Sequence, residues 1–320
     1  MTRRLIRPRR WDPPRLDDAG ATARLDVARL LPTGGRGPED VVFDREGRII
    51  AGLADGRVVR IDPETGERTV LADTGGRPLG LHPRDDGGVL VCDHDKGLLE
   101  IGADGAVTRL VEVAFASNVV EASDGTIWFT SSTTQWTLEE HLGDVFEHSC
   151  TGRLLRRDTD GTVTTVLDGL KFANGLVLAP DESYLLVAET AGYRIRRHWV
   201  DGRTEVLVDN LPGFPDNMWL GSDGLLWVAI AAPRNALLDR LLPRPGFLRL
   251  LLWNLPDAVR PKAVPIAWAM AFTLDGERVH DLRTTDGSYG FVTSVAERNG
   301  LVVLGSLTAS DVAVLGNSHA

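Results

Sequence analysis

The feature that most constrains the fold of this chain is an internal repeat. Short apolar runs, joined by Asp-Gly, Asn-Gly or similar turns, recur with starts at Glu39, Leu79, Asn118, Asn174 and Asp216, at intervals of 40, 39, 56 and 42 residues. A sixth copy near the C-terminus reads TSVAERNGLVVLGSLTASDVAVL. Four strands per copy and a period of about 40 residues are typical of a propeller blade. The sequence therefore predicts an all-β fold, a six-bladed β-propeller.

A single propeller domain accounts for almost the whole chain, with residues 1–20 as an N-terminal tail and residues 21–320 as the propeller. Closing the ring requires one strand from the N-terminal segment, within ARLDVARLL, to complete the last blade. A parallel α/β sheet would need long helical crossovers, and these are missing from the sequence. A β-sandwich would explain neither the period nor the number of copies.

Two insertions interrupt the repeat, at about residues 134–148 and 233–262. Both have helical spacing, and Pro243, Pro245 and Gly246 should break the second into two short helices near the channel mouth. The second is too rich in leucine for a free loop, which leaves three interpretations: a lid over the mouth, a dimer contact through residues 236–255, or a membrane-surface helix. The lid is favoured, and membrane contact is least favoured because few cations are spread along the segment.

The composition of the chain limits the kinds of partner it can bind and the cell compartment that suits it. The net charge of −10 argues against nucleic acid, because no excess of lysine and arginine is available to neutralise phosphates. The arginine-rich start is not followed by an apolar segment of the kind found in secretory signals. With only Cys92 and Cys150, a disulfide framework is not expected, and a reducing cytoplasm fits best.

Five polar residues lie at or just before the starts of the repeats: Glu39, Asn118, Asn174, Asp216 and Asn217. Asp and Asn are common in turns, but these five are followed at once by apolar residues. In a propeller the innermost strands line one channel, so equivalent positions in different blades converge. Carboxylate and amide oxygens suit calcium, although magnesium or manganese also accepts oxygen ligands. The pattern predicts a calcium site at the channel mouth.

A cation at this position could polarise an ester, lactone or phosphoryl oxygen. Asp216 is then a candidate base or nucleophile, because a carboxylate beside the ion is already ionised and oriented. Phe115, Trp136 and Phe214 are candidates for the pocket wall. His141 and His148 flank the first insertion and are interpreted as surface residues.

A family resemblance is carried by three parts of the chain: the GPED start, the stretch TGRLLRRDTDGTVTTVLDGLKFANGLVLAPDESYLLVAETAGYRIRRHWV, and LPGFPDNMWLGSDGLLWVA. From about residue 30 onward the sequence resembles the strictosidine synthase-like proteins. These share a six-bladed, calcium-dependent superfamily with paraoxonases, gluconolactonases and the diisopropyl fluorophosphatase type. The resemblance implies the propeller fold and a metal-dependent site.

The ligand set implied by the resemblance coincides with the five polar residues. Asn174 in FANG resembles a paraoxonase calcium-ligand motif, and the pair Asp216 and Asn217 resembles another. Glu39 and Asn118 fall where the remaining ligands belong. All five are therefore expected to bind the ion.

At two positions this sequence lacks a catalytic residue of the families it resembles, and both differences affect the expected reaction. His94 resembles in position one histidine of the paraoxonase dyad and is a second candidate base, but by the same resemblance the other histidine is replaced near Leu79. The catalytic glutamate of strictosidine synthase aligns at or near Tyr289, a further pocket candidate, and the nearest glutamate is Glu297. Amine–aldehyde condensation is therefore disfavoured.

Together these patterns predict a calcium-dependent hydrolase of the lactonase or arylesterase type, acting on a small, apolar ester or lactone. Two alternatives remain open. One is a strictosidine synthase-like enzyme that forms or breaks a bond in the same pocket. The other is a non-catalytic propeller in which calcium is structural and the second insertion binds a partner.

Overall fold

The computed structural model describes residues 4–256 and 263–316. Residues 1–3 of the expected tail, residues 257–262 at the end of the second expected insertion, and residues 317–320 of the expected propeller lie outside the described residues.

The described chain consists mainly of short antiparallel strands. Before the first blade come β1 (Ala23–Arg24) and β2 (Val27–Pro32). The first blade contains β3 (Val41–Phe43), β4 (Ile49–Gly52), β5 (Arg57–Ile61) and β6 (Arg68–Asp73). The second contains β7 (Pro78–Pro83), β8 (Val89–Asp93), β9 (Gly97–Ile101) and β10 (Val107–Val111). The third contains β11 (Ala116–Glu121), β12 (Ile127–Ser131), β13 (Gly152–Arg157) and β14 (Val163–Leu170).

The remaining blades follow the same order. The fourth contains β15 (Ala173–Leu178), β16 (Tyr184–Glu189), β17 (Arg194–Trp199) and β18 (Thr204–Val208). The fifth contains β19 (Gly213–Leu220), β20 (Leu226–Pro233), β21 (Ala267–Phe272) and β22 (Arg278–Thr284). The sixth contains β23 (Val292–Arg298), β24 (Leu301–Ser306) and β25 (Asp311–Leu315).

Six sheets form the propeller, as the repeat predicted. Strand β2 pairs antiparallel with β25 and supplies the fourth strand of blade six, so the closing strand comes from the expected segment. Strand β1 adds to the outer edge of blade five by pairing parallel with β22. The first strands of successive blades contact one another around the ring, from β3 through β23 and back to β3. Their starts therefore meet at one mouth of the central channel.

The insertions form three short helices at this mouth. The first insertion contains α1 (His141–Glu147), and the second contains α2 (Ala236–Leu241) and α3 (Phe247–Trp253), separated at the predicted Pro-Gly segment. Side chains of α3 pack against α1 and α2. None of the described helices has the length and apolar character needed to span a bilayer.

Residues 4–18, here called the N-terminal strap, lie against these helices and against blades four and five. The backbone N–H of Arg9 donates to the carbonyl of Glu147 at 2.8 Å. Ile6 is buried against Trp136 and Trp253, and Trp11 stacks on His148 with ring centroids 4.4 Å apart. The segment expected as a tail is thus an ordered part of the molecule.

Candidate metal centre and cavity

The innermost strands share an irregularity that aims side chains into the channel. In β11, β15 and β19 the pairing with the next strand shifts register between Ala116 and Val119, between Ala173 and Leu176, and between Pro215 and Met218. Bulges of this kind re-aim side chains, often beside active sites. The predicted polar residues of blades three, four and five all lie within these bulges.

Two glycines permit the close approach of neighbouring bulges. A Cβ at Gly80 would lie 2.4 Å from the Cα of Asn118, and a Cβ at Gly175 would lie 2.5 Å from the carbonyl oxygen of Asp216. Real Cβ atoms do not tolerate such distances, so a side chain at either position would push adjacent inner strands apart. Glycine is therefore required where the ring of polar groups is assembled.

All five predicted ligands lie together and are here called the polar ring (Glu39, Asn118, Asn174, Asp216 and Asn217). Their hydrogen bonds form two sets, which meet at the adjacent residues Asp216 and Asn217. Asn118 Nδ2 donates to Asn217 Oδ1 at 3.0 Å, and Asn217 Nδ2 donates to Glu39 Oε2 at 3.3 Å. Asn174 Nδ2 donates to Asp216 Oδ1 at 2.6 Å. All five side chains are buried.

Neighbouring hydroxyls complete this network. Ser117 Oγ donates to Asn174 Oδ1 at 3.0 Å, and Asn174 Nδ2 also lies 3.3 Å from Thr190 Oγ1. From blade six, Thr293 Oγ1 donates to the backbone carbonyl of Glu39 at 2.7 Å. Ser117, Thr190 and Thr293 were not among the predicted site residues. The positions of Ser117 and Thr293 at blade starts could have indicated them.

The two carboxyl groups of the polar ring are electrostatically unfavourable when ionised without a cation. Burial, followed by the nearby Asp216 and Asp40 carboxylates, holds the pKa of Glu39 well above its usual range. Burial raises the pKa of Asp216 to about 8, against the opposing effect of the Asn174 hydrogen bond. A divalent cation between these groups would lower both pKa values and favour the charged forms.

The donor chemistry of the polar ring fits a hard cation. Two carboxylates and three amides offer oxygen ligands of the type that calcium prefers. A half-turn of an amide about its last torsion exchanges its NH₂ group for its oxygen, so the same three asparagines can face a cation or each other. No cluster of three or more His, Cys, Asp or Glu side chains suited to a metal occurs among residues 4–256 and 263–316. The amides are therefore essential to any ion site here.

A cavity of about 340 Å³ opens above the polar ring, with Glu39, Asn174 and Asp216 on its floor. The wall is mainly apolar and includes Leu79, Phe115, Leu138, Leu142, Val145, Phe172, Phe214, Phe291 and Leu307. The described lining contains no lysine or arginine. Such a cavity favours a small, uncharged and largely apolar ligand.

Of the four residues predicted to line the pocket, two line the cavity and two do not. Phe115 and Phe214 line the cavity, but Trp136 and Tyr289 lie elsewhere, contrary to the prediction. Trp136 packs on Gly143 of α1 and on Trp253, because a glycine there leaves space for the indole. The hydroxyl of Tyr289 lies 2.8 Å from the carbonyl of Asp311 within blade six.

His94 supports the cavity wall from behind and does not line the cavity. Its Nδ1 lies 2.7 Å from Asp95 Oδ1, and its Nε2 accepts the backbone N–H of Leu138 at 2.9 Å. The ring edge packs against Phe115 with centroids 4.7 Å apart. Because both ring nitrogens are engaged, His94 could act as a base only after one of these bonds opened. Its position indicates a role in placing Leu138.

His141 is the histidine that does line the cavity, whereas sequence analysis interpreted it as a surface residue. Its Nδ1 lies 2.6 Å from the carbonyl oxygen of Leu138. A carbonyl can only accept, so Nδ1 carries the proton and Nε2 keeps a free lone pair. Burial lowers the pKa of His141 from 6.5, which keeps the imidazole neutral near pH 7.

His148 and Glu297 lie away from the cavity. His148 is buried beneath Trp11, and burial, reinforced by the cations Lys171 and Arg249, lowers its pKa to about 3. Glu297 accepts the hydroxyl of Ser222 at 3.0 Å on the outside of the ring. Glu39 and Asp216 are thus the only described carboxylates that line the cavity.

A further cavity of about 380 Å³ lies at the opposite end of the inner strands and is bordered by Asp40, His82 and Asn118. Asp40 accepts the Ser294 hydroxyl at 2.6 Å and the N–H of Leu81 at 2.9 Å. Burial nevertheless raises the pKa of Asp40 to about 7. The polar ring separates this far opening from the apolar cavity.

Comparisons with known proteins agree with this architecture. A family model described as strictosidine synthase matches residues 118–203, and one described as strictosidine synthase-like, N-terminal, matches residues 22–61. The adipocyte plasma membrane-associated protein of Rattus norvegicus aligns with this chain at 33% identity over an alignment 320 residues long. The alignment covers 89% of this chain and 84% of the relative.

Two solved structures share the fold. A gluconolactonase from Xanthomonas campestris superposes with a TM-score of 0.64 at 20% identity, over 98% of both chains. The calcium-binding protein regucalcin from Agrobacterium tumefaciens gives a TM-score of 0.64 at 15% identity, over 92% of this chain and 95% of that one. The molecule thus has the same six-bladed propeller fold as these two structures. Within that fold class, the chain belongs to the strictosidine synthase-like family.

Proposed function

We propose that this protein is a calcium-dependent hydrolase of small, uncharged, apolar esters or lactones. The observation that carries the proposal is the polar ring of two carboxylates and three amides, of which Glu39, Asn174 and Asp216 form the floor of a mainly apolar cavity. The gluconolactonase and regucalcin structures support a lactonase with bound calcium through their shared fold. Calcium would be held by the carboxylates of Glu39 and Asp216 and the amide oxygens of Asn118, Asn174 and Asn217.

A bound divalent ion supplies Lewis-acid polarisation of the substrate carbonyl and stabilises developing negative charge on its oxygen. The aromatic and aliphatic wall binds the apolar part of the substrate and excludes bulk water. Asp216, fixed by Asn174, keeps its charge beside the ion.

His141 is the better-placed base, because its Nε2 accepts no hydrogen bond from the described residues and its tautomer is set by the carbonyl of Leu138. In the proposed step, Nε2 takes one proton from water while the water oxygen forms a bond to the acyl carbon. When the bond to the leaving oxygen breaks, His141 returns the proton to that oxygen. The products are a carboxylic acid and an alcohol, or a hydroxy acid from a lactone.

The test is hydrolysis of a panel of lactones and aryl esters by EDTA-treated protein, with and without added calcium, beside thermal unfolding of the same samples. Calcium should restore turnover and raise the stability of the folded state, by about 2.7 kcal/mol at a concentration 100 times its Kd. Stabilisation without turnover on any substrate would instead favour structural calcium in a binding protein. Turnover that survives chelation would show hydrolysis that does not need the ion and would overturn the calcium dependence.

Replacing His141 with glutamine is expected to lower kcat by about 10²- to 10⁴-fold, the usual contribution of a positioned base. Calcium stabilisation should remain, because His141 is not part of the polar ring. Wild-type activity should also fall as the pH drops through the pKa of His141, below 6.5, where the imidazole becomes protonated. The H141Q variant should lack that dependence.

A matched control is His280→Gln, since His280 stacks on Trp227 away from the cavity. H280Q should retain wild-type kcat and pH dependence. Equal kcat in H141Q and the wild type would remove His141 from the mechanism and return attention to Asp216.

A further inference from the structure

An exposed apolar surface lies beside the cavity mouth. It is formed by side chains of the N-terminal strap and the three helices, here called the apolar face: Leu5, Leu142, Leu237, Phe247 and Leu251. Phe247 is 58% exposed and Leu251, one helical turn further along α3, is 63% exposed. In monomeric proteins, a large group of exposed apolar side chains often marks a site that binds a protein, a membrane or a ligand.

The elements that carry the apolar face are fixed to one another. Trp253 Nε1 donates to the carbonyl of Arg4 at 2.9 Å, which joins α3 to the strap. The guanidinium of Arg249 donates to the carbonyl of Phe146 at 2.8 Å, which joins α3 to α1. Ile6, Trp136 and Trp253 pack together underneath. The exposed side chains are therefore presented by a firmly packed base.

Arginines surround the apolar face although the whole chain has a net charge of −10. Residues 4–10 and 240–249 contain no acidic residue, Asp239 is paired with Arg234, and Glu139 and Glu140 lie on the side of the face that carries Leu142. The exposed arginines of these two segments are Arg4, Arg7, Arg9, Arg10, Arg240 and Arg244. None of them forms an ion pair with a carboxylate in the described part of the chain. The face is locally basic, which complements an anionic surface.

The apolar face is continuous with the cavity. Leu142 lines the cavity and is also 46% exposed on the outside, and Ala263 in the cavity wall precedes Val264, which is 56% exposed. A water-insoluble molecule could therefore pass from an apolar phase against this face into the cavity across a mainly apolar rim.

We propose that the apolar face docks on the surface of an anionic lipid bilayer, with Phe247 and Leu251 entering the interface and the surrounding arginines contacting lipid headgroups. Large apolar side chains flanked by cations are the composition of interfacial membrane-binding segments. A second copy of the chain fits less well, because a symmetric contact would bring arginines against arginines. An acidic protein would match the charge but would not account for the continuity with an apolar cavity.

Membrane contact was the least favoured interpretation of the sequence because the second insertion contains few cations. The structure brings Arg4, Arg7, Arg9 and Arg10 of the N-terminal strap beside the helices of that insertion. The basic character of the face thus arises from two segments far apart in the sequence. The proposed membrane docking does not depend on the proposed hydrolysis.

The experiment is sedimentation of the full chain with vesicles of phosphatidylcholine alone or mixed with phosphatidylserine, at low and high salt. We expect binding to the phosphatidylserine vesicles that weakens with salt, since exposed charges are screened. The double variant F247S/L251S should bind at least ten times more weakly. The variant R240E/R244E should lose the preference for phosphatidylserine.

A matched control is V70S/V163S, which removes two exposed valines from the outer strands β6 and β14, 53% and 41% exposed. This variant should bind as the wild type does, and thermal unfolding should show all variants folded. Wild-type protein that stays in solution with every vesicle would overturn the proposal, as would F247S/L251S binding like the wild type. A dimer that F247S/L251S abolishes, without vesicle binding, would assign the face to a second copy instead.

Discussion

The variant Asp216→Asn is expected to lose calcium-dependent hydrolysis by at least about 100-fold, the scale of removing one group that stabilises transition-state charge. Asparagine keeps the shape of the side chain and an oxygen that can accept the hydrogen bond from Asn174. Only the charge is removed, and it is one of the two carboxylates on the cavity floor. Both calcium-restored turnover and calcium-induced stabilisation should be lost.

Without calcium, D216N should be at least as stable as the wild type. Burial raises the pKa of Asp216 to about 8, so folding of the metal-free protein at neutral pH requires this carboxyl to take up a proton, a cost that asparagine avoids. The measurement is thermal unfolding with EDTA and with calcium. Asp124→Asn is the control, since Asp124 is an exposed turn residue that accepts the Thr126 N–H. Unchanged calcium stabilisation in D216N would contradict the assignment of Asp216 as a ligand.

The second large effect is expected from Arg249→Met, which should lower the free energy of unfolding by about 2–4 kcal/mol. Arg249 is fully buried. Its guanidinium donates to the carbonyls of Phe146 and Glu147 at the end of α1 and to the carbonyl of Arg9 in the strap. Methionine fills much of the same space but leaves these carbonyls without their donor.

Urea denaturation would measure the loss, and limited proteolysis should show faster cleavage within residues 134–148. Arg244→Met is the matched control, because Arg244 is exposed in the same insertion. R244M should change stability by no more than about 0.5 kcal/mol. If R249M and R244M were equally stable, the buried guanidinium would not be what holds α1 in place.

The blades and the meeting of the polar ring could be predicted because both follow from repetition. Asn174 and Asp216 occupy the same register in successive copies, and Asn118 lies one residue later, at the register of Asn217, so a propeller brings these side chains close together. The bulges that aim these side chains inward were not predictable, because register shifts depend on contacts between strands. Ser117 and Thr293 were missed since blades three and six carry a hydroxyl at the register where blades one, four and five carry Glu39, Asn174 and Asp216.

The surroundings of the site were predicted less well because they depend on long-range packing. Trp136 and Tyr289 are large aromatic residues in sequence segments that were expected to lie near the channel mouth. In the structure Trp136 packs on Trp253, and Tyr289 hydrogen-bonds to the carbonyl of Asp311, both away from the cavity. His141 lines the cavity only because α1 folds over it, with Leu138 held by His94. Nothing in the spacing of the insertion indicates which face of a seven-residue helix will point inward.

The pairing of β2 with β25 has a consequence for how the protein is made. During synthesis, β2 is made before all six blades, and its partner β25 is the last described strand to be translated. Until β25 is present, β2 and β24 each lack the neighbour that joins them in blade six, and the ring is not closed. Such late, distant pairing slows folding and leaves strand edges open to association. Premature termination near the C-terminus should therefore produce an aggregation-prone chain, even though little sequence is missing.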